Sequence, residues 1–174
     1  ELHGRVNELQ GLLGELGPAA SGKGVELEST RVRSDEAEAF SQEVESLLRA
    51  WHFPGLDRVT FSESDQDNVI SGRTRASHGK GVRAIAHAAF NLALLNFCLK
   101  AEKPHPGFAL IDSPLVVYRE PDTDEGGFSL DVKDAFYRSI AEEFRASQVI
   151  IFENEDPPSD LGADANIIRF TGAS

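Results

Sequence analysis

Two stretches of this 174-residue sequence hold polar groups at spacings suited to a phosphate and to a metal ion. In the first, Arg75-Ala76-Ser77-His78-Gly79-Lys80-Gly81-Val82-Arg83 stands directly before a long apolar stretch of helical character. A helix start leaves backbone N–H groups unpaired and carries the positive end of the helix dipole. A serine able to cap it and two glycines that let a ligand reach the backbone therefore suit an anion, and phosphate is the natural ligand. The same residues also fit an ordinary capped helix start with basic neighbours. In the second, Phe108-Ala109-Leu110-Ile111-Asp112 delivers one carboxylate at the end of an apolar strand. Ligands of open α/β sheets bind at that end of the strands, and a carboxylate there can hold Mg²⁺ through water. An aspartate that caps a loop reads the same way.

Charge sharpens the first stretch. The chain carries a net −12, which argues against broad attraction to nucleic acid, since phosphate binding needs clustered Lys and Arg. Between Asp67 and Glu102, however, there is no acidic residue, while Arg73, Arg75, Lys80, Arg83 and Lys100 make the segment basic. An anion is expected there before anywhere else. Other chemistries fit less well. Glu120, Asp122, Asp124 and Asp131 resemble a calcium loop, but Glu125 stands where glycine is required, so a solvated acidic loop is expected. His3, His52, His78, His87 and His105 have no paired spacing, and a zinc site is not expected. No Gly-x-Ser-x-Gly or Cys/His pairing points to a covalent nucleophile. His87 and the single cysteine, Cys98, fall in the apolar stretch and read as core residues, as do Phe40, Trp51, Phe90, Phe97, Phe136 and Phe144.

The elements that must position these residues follow from periodicity. Leucines at 9, 12, 13 and 16 have helical spacing interrupted by Gly4, Gly11 and Gly14, and residues 17–24 have linker chemistry, so residues 1–33 read as an arm stub and linker. Ser34, Asp35 and Glu36 open a helix whose Phe40, Val44, Leu47, Leu48 and Trp51 share one face, and Pro54 and Gly55 end it. Val59 and Phe61, with Val69 and Ile70 beyond a polar turn, predict a hairpin. Residues 81–100 predict a central helix apolar over nearly its whole circumference, with His87, Asn91 and Asn96 making it fall short of a membrane span. Residues 108–111 predict a buried parallel strand. Ser129 can cap a helix to Arg145 with Val132, Phe136, Ile140 and Phe144 inward; residues 148–152 and 166–170 predict two more strands. With 40% hydrophobic residues, one core is expected, and the fold class is α/β: half of a sheet with helices packed on it. The lone cysteine and the absence of a secretory pattern at the start fit a reducing cytoplasm, with no membrane partner.

In order and spacing, residues 58–170 resemble the C-terminal lobe of an ABC-type ATPase head, in particular the SMC-like and RecN-like heads of chromosome maintenance and DNA repair. Residues 34–174 would then form that lobe, the C-terminal half of a P-loop NTPase sheet with a long central helix. The resemblance implies a signature loop at 75–83, with Ser77, His78, Gly79, Lys80 and Gly81 touching the γ-phosphate of ATP held by the opposite subunit. It implies a Walker B strand at 108–112, with Asp112 acting on Mg²⁺ in cis from a central strand flanked by those containing Ile151 or Ile168. The partners implied are an N-terminal lobe carrying the Walker A, a homodimeric head, and DNA through the assembled complex.

Three departures qualify the resemblance. Ser113-Pro114 follows Asp112 where the family places its glutamate, so hydrolysis is expected to be slow or served by another acid, with Glu120 and Glu153 as the candidates. Glu153-Asn154 stands in place of the switch histidine, so either the neutral amide of Asn154 contacts the γ-phosphate or nothing does. Residues 17–24 match Gly-x4-Gly-Lys but lack the final Ser or Thr, and are expected to be linker. The segment alone is therefore expected to be inactive. Two alternatives remain: a non-catalytic dimerisation domain of the same fold, and a single-domain phosphate enzyme using Arg75, Lys80 and Arg83 as an anion clamp.

Overall fold

Helix α1, Ser34–Ala50, forms where expected. Asp35 and Glu36 in its first turn and Arg49 in its last complement the helix dipole. Its apolar face is fully used: Val44, Leu47, Leu48 and Trp51 are at most 1% exposed. The helix ends at His52, whose φ of 54° lets the Phe53 N–H reach back to the Leu48 carbonyl at 2.9 Å. The computed structural model describes residues 33–115, 130–154, 156–161 and 165–170. These belong to one unit of the chain, Val32–Ser174; the linker expected at 17–24, Glu120, and the cap expected at Ser129 lie outside the described residues.

The predicted hairpin is β1, Val59–Ser62, paired antiparallel with β2, Asp67–Ile70, with Val59 opposite Ile70. The sequence reading missed a third strand, β3, Arg73–Thr74, which pairs antiparallel with β2. Its turn, Ser71-Gly72, has φ of 50° and 75°, the twist that a two-residue hairpin requires. A 3-10 turn at Arg75–Ser77 then leads into α2, Lys80–Lys100.

The central helix α2 buries Ile85, Ala86, Ala88, Ala89, Leu92, Ala93, Leu95 and Cys98. The alanines leave room for α1, the element α2 meets most extensively. Phe40 of α1 meets Phe61, Phe90 and Phe97 edge-on, with ring centroids 5.0 to 6.3 Å apart, and so joins α1 to the hairpin and to α2. Two expectations for α2 need correction. His87 keeps part of its ring in solvent and is not a core residue, Arg75 covering it at Nδ1. By length and mean hydropathy the helix does reach what a membrane span needs; here its alanine face is spent on protein contacts.

Strand β4, Phe108–Asp112, pairs in parallel register with β5, Gln148–Phe152, from Phe108 opposite Gln148 to Asp112 opposite Phe152. Between them runs α3, Leu130–Glu143, with Val132, Phe136, Ile140 and the following Phe144 buried as predicted. Trp51 stacks edge-on against Phe136 at 4.7 Å and its indole N–H donates to Ser139 at 3.2 Å, joining α1 to α3. The molecule is thus mixed α/β, with a small antiparallel and a small parallel sheet.

The parallel pair corrects the sequence reading twice. Residues 166–170 form no strand; Ile168 is 69% exposed, and no strand among the described residues pairs with them. Among the described residues β4 consequently pairs on one side only, rather than lying centrally. The strand expected to be buried on both faces is buried on one. Ala109 and Ile111 face the core, while Phe108 and Leu110 are 45% and 54% exposed.

Candidate functional site

The carboxyl end of β4 and β5 gathers several of the residues singled out above. Beyond Asp112 the chain turns sharply: Ser113 has φ of 48°, a left-handed conformation that a residue with a Cβ adopts at some cost. Its N–H donates to the Phe152 carbonyl at 2.8 Å, which continues the parallel ladder by one bond. Its hydroxyl donates to Asp112 Oδ1 at 2.9 Å. The Leu115 N–H donates to Glu153 Oε1 at 2.9 Å, so Glu153, one residue past the end of β5, reaches across to the loop that follows β4. Asp112 stays exposed and forms no ion pair among the described residues.

This arrangement suits a hydrated divalent ion. A single exposed carboxylate with one oxygen committed to a hydroxyl leaves the other for Mg²⁺ or its water, provided phosphate oxygens complete the coordination. The described residues contain no group of three acidic, histidine or cysteine side chains able to enclose a metal unaided. Of the proposed acids, Glu153 is at the edge, its Oε1 engaged by a backbone N–H. Asn154 is adjacent and exposed.

The loop before α2 is differently built. Ser77 does not cap the helix, because the N-cap is Gly79 and makes no side-chain bond. The Ser77 hydroxyl turns back to the Thr74 carbonyl at 2.7 Å, and its own carbonyl accepts from Arg73 Nη2 at 3.1 Å. The side chain is exposed, as expected, but it is not free of internal partners. Lys80 is exposed and has no partner among the described residues. Gly79 has ordinary backbone angles (φ −61°), and a Cβ there would meet nothing within 4 Å. Neither conformation nor packing in this chain requires a glycine at that position. His78 is half-buried; burial, then Arg73, holds its imidazole below the usual histidine value.

Arg75 is where the clamp alternative fails. Its Nε meets both carboxylate oxygens of Asp67, at 3.0 and 2.9 Å, its Nη1 lies 2.7 Å from His87 Nδ1, and its guanidinium stands 5.6 Å from the centre of the Phe90 ring. An arginine held on three sides has little capacity left for a phosphate. Lys100 likewise pairs with Glu43 at 2.6 Å. The basic stretch thus leaves Lys80 and Arg83 as its exposed cations without a partner among the described residues. The pairing of Arg75 with Asp67 escaped the sequence reading; the available signal was that Asp67 is the last acid before the basic stretch and falls in a predicted hairpin strand.

Asp112 makes no hydrogen bond or ion pair with the loop at 75–83, so the two candidate regions are separately built. No protein-family model matches the chain, and no curated protein matches it.

Proposed function

We propose that this chain is the C-terminal lobe of an ABC-type, SMC-like ATPase head that binds and hydrolyses ATP with Mg²⁺ by completing its site with other protein. The observation that carries this reading is the parallel pair β4–β5. Parallel sheets occur with both faces covered, yet here one face bears exposed Phe108, Leu110 and Phe152, and an exposed carboxylate ends the strand. A sheet of this kind is consistent with a lobe whose remaining strands come from a partner carrying the Walker A.

In that assembly Asp112 would hold Mg²⁺ through water, and the ion would neutralise charge on the phosphates. Ser77, the Gly79 and Gly81 N–H groups and Lys80, with His78 beside them, would face the γ-phosphate held by a second head. Each favours negative charge there, and the bare Cα of Gly79 lets the phosphate approach. Glu153, or Glu120 from outside the described residues, would orient the attacking water in place of the family's glutamate; Asn154 would stand at the switch position. DNA would be met by the assembled dimer, in the cytoplasm, and repair or chromosome maintenance is the setting the resemblance suggests.

One observation favours a second reading, a dimerisation scaffold without turnover. Ser113, which the resemblance would put at the position of the water-orienting glutamate, directs its hydroxyl to Asp112 itself. Mg²⁺-dependent ATP turnover, measured with the Walker A lobe supplied and with this chain alone, tests both. The ATPase reading expects turnover only in the mixture and a loss of about a hundredfold in Asp112→Asn, within the range for a group that positions charge in a transition state. Nucleotide-driven association without turnover selects the scaffold. Robust turnover by this chain alone overturns both.

A further inference from the structure

The loop before α2 is exposed and basic, and an isolated segment of that kind has little reason to hold one conformation. Three side chains from two elements supply it. Asp67 in β2 accepts its own strand's Asn68 N–H at 2.8 Å through the same Oδ1 that meets Arg75, which ties the carboxylate to the strand backbone. The side chains of Asp67 and Arg75 are only 23% and 26% exposed, so solvent screens the pair less than the other ion pairs on the surface. His87, in the second turn of α2, takes the far end of the guanidinium at 2.7 Å, and Phe90, one turn further, underlies it.

We infer that Arg75 and Asp67, with His87 as the third member, form a clasp that positions the loop carrying Ser77 and Gly79, and that Arg75 is a positioning residue and not an anion ligand. The functional purpose of the clasp rests on the nucleotide-facing role proposed above for that loop. An arginine can only donate, so His87 must present a lone pair at Nδ1 and be neutral for the contact to exist. Among the described residues the charged groups that bear on His87 are Arg75 from the 3-10 turn and Asp67 from β2. Burial, then Arg75, holds the imidazole below its usual 6.5, with Asp67 opposing. A histidine lowered in the folded state contributes fully above 6.5, and its contribution is lost as the pH falls toward the lowered value. Acidification therefore releases the His87 arm of the clasp.

The test is amide exchange across residues 73–78 of this chain, compared as protection factors. Asp67→Asn keeps the side chain's shape and should lower protection of the His78 amide, which donates to the Arg75 carbonyl, about tenfold, with β1 and the centre of α2 unchanged. Arg75→Lys keeps the charge but loses the paired hydrogen bonds and the ring contact, and should do the same should the first variant fail to fold. His87→Gln retains an acceptor at every pH, so the acid-dependent loss of protection seen in the unmutated chain should disappear. Unchanged protection in both Asp67→Asn and Arg75→Lys overturns the clasp. A pH dependence that persists in His87→Gln assigns it to His78 and overturns the part given to His87. Mg-ATP-driven association with the Walker A lobe present separates the two proposals. A loosened loop together with about tenfold weaker association supports both, whereas a loosened loop in a protein whose unmutated form never associates supports the clasp and overturns the nucleotide role.

Discussion

The loop at 75–83 and the carboxyl edge of β4–β5 both expose polar groups, but they hold them by different means. The loop is secured by side chains: Asp67, His87 and Phe90 grip Arg75 from a strand and a helix, and Arg73 and Thr74 engage Ser77. The edge is secured chiefly by backbone, through the parallel ladder and its continuation at Ser113, with the Glu153 side chain accepting the Leu115 N–H. The loop is complete within this chain, whereas the edge carries an apolar face that nothing among the described residues covers. Side-chain clasps keep a small exposed segment in place locally; a sheet needs two faces and further strands, and that demand points outside the described residues.

The strongest way to break this contrast is to mutate adjacent residues of β4. Ile111→Ala, on the covered face at 5% exposure, should destabilise the chain by about 2 to 4 kcal/mol, read by denaturant unfolding. Leu110→Ala, at 54% exposure, should change stability by less than about 0.5 kcal/mol while weakening association with a covering lobe. Comparable destabilisation by both substitutions would mean that the outer face is already satisfied within this chain.

Next comes Ser77→Arg, which sharpens what the loop is for. Because Ser77 does not cap α2, its replacement forfeits only an exposed bond to the Thr74 carbonyl, and thermal unfolding should move by little more than a degree or two. On the role proposed for the loop, ATP-driven head association would fall at least tenfold, since a bulky cation would replace a small donor at the proposed contact. A mutant that associates normally removes the nucleotide role from this loop.

Ser113→Gly should stabilise the chain by about 0.5 to 1 kcal/mol, because glycine adopts a φ of 48° without strain, partly offset by the lost hydroxyl bond to Asp112. A destabilised variant would show that the hydroxyl outweighs the backbone strain. The smallest effect is expected from pH. With both His78 and His87 held below 6.5 by burial, stability should decline slightly as the pH falls below that value, and less so in His87→Gln. A rise in stability over that interval would contradict both assignments.

Local pattern was sufficient for much of this molecule. The i, i+4, i+7 and i+8 spacing from Phe40 to Leu48 placed α1 and its buried face, the alternation from Val59 placed β1, and Val132, Phe136 and Ile140 placed the inner side of α3, because periodicity is a property of neighbouring residues. The same reasoning reached Asp112 at the end of an apolar strand. It missed β3, although Ser71-Gly72 is a turn signal, because a two-residue strand has no period to read.

What needed the tertiary structure were the partners. The amino-acid order carries the charges of Asp67, Arg75 and His87, but only the packing of the 3-10 turn over β2 and α2 turned Arg75 from an available cation into an engaged one. Composition likewise made Phe108, Leu110 and Ile168 look interior, since an apolar residue reads alike whether its cover is present or not. Burial depends on which other surfaces arrive, and for one face of β4–β5 none does among the described residues.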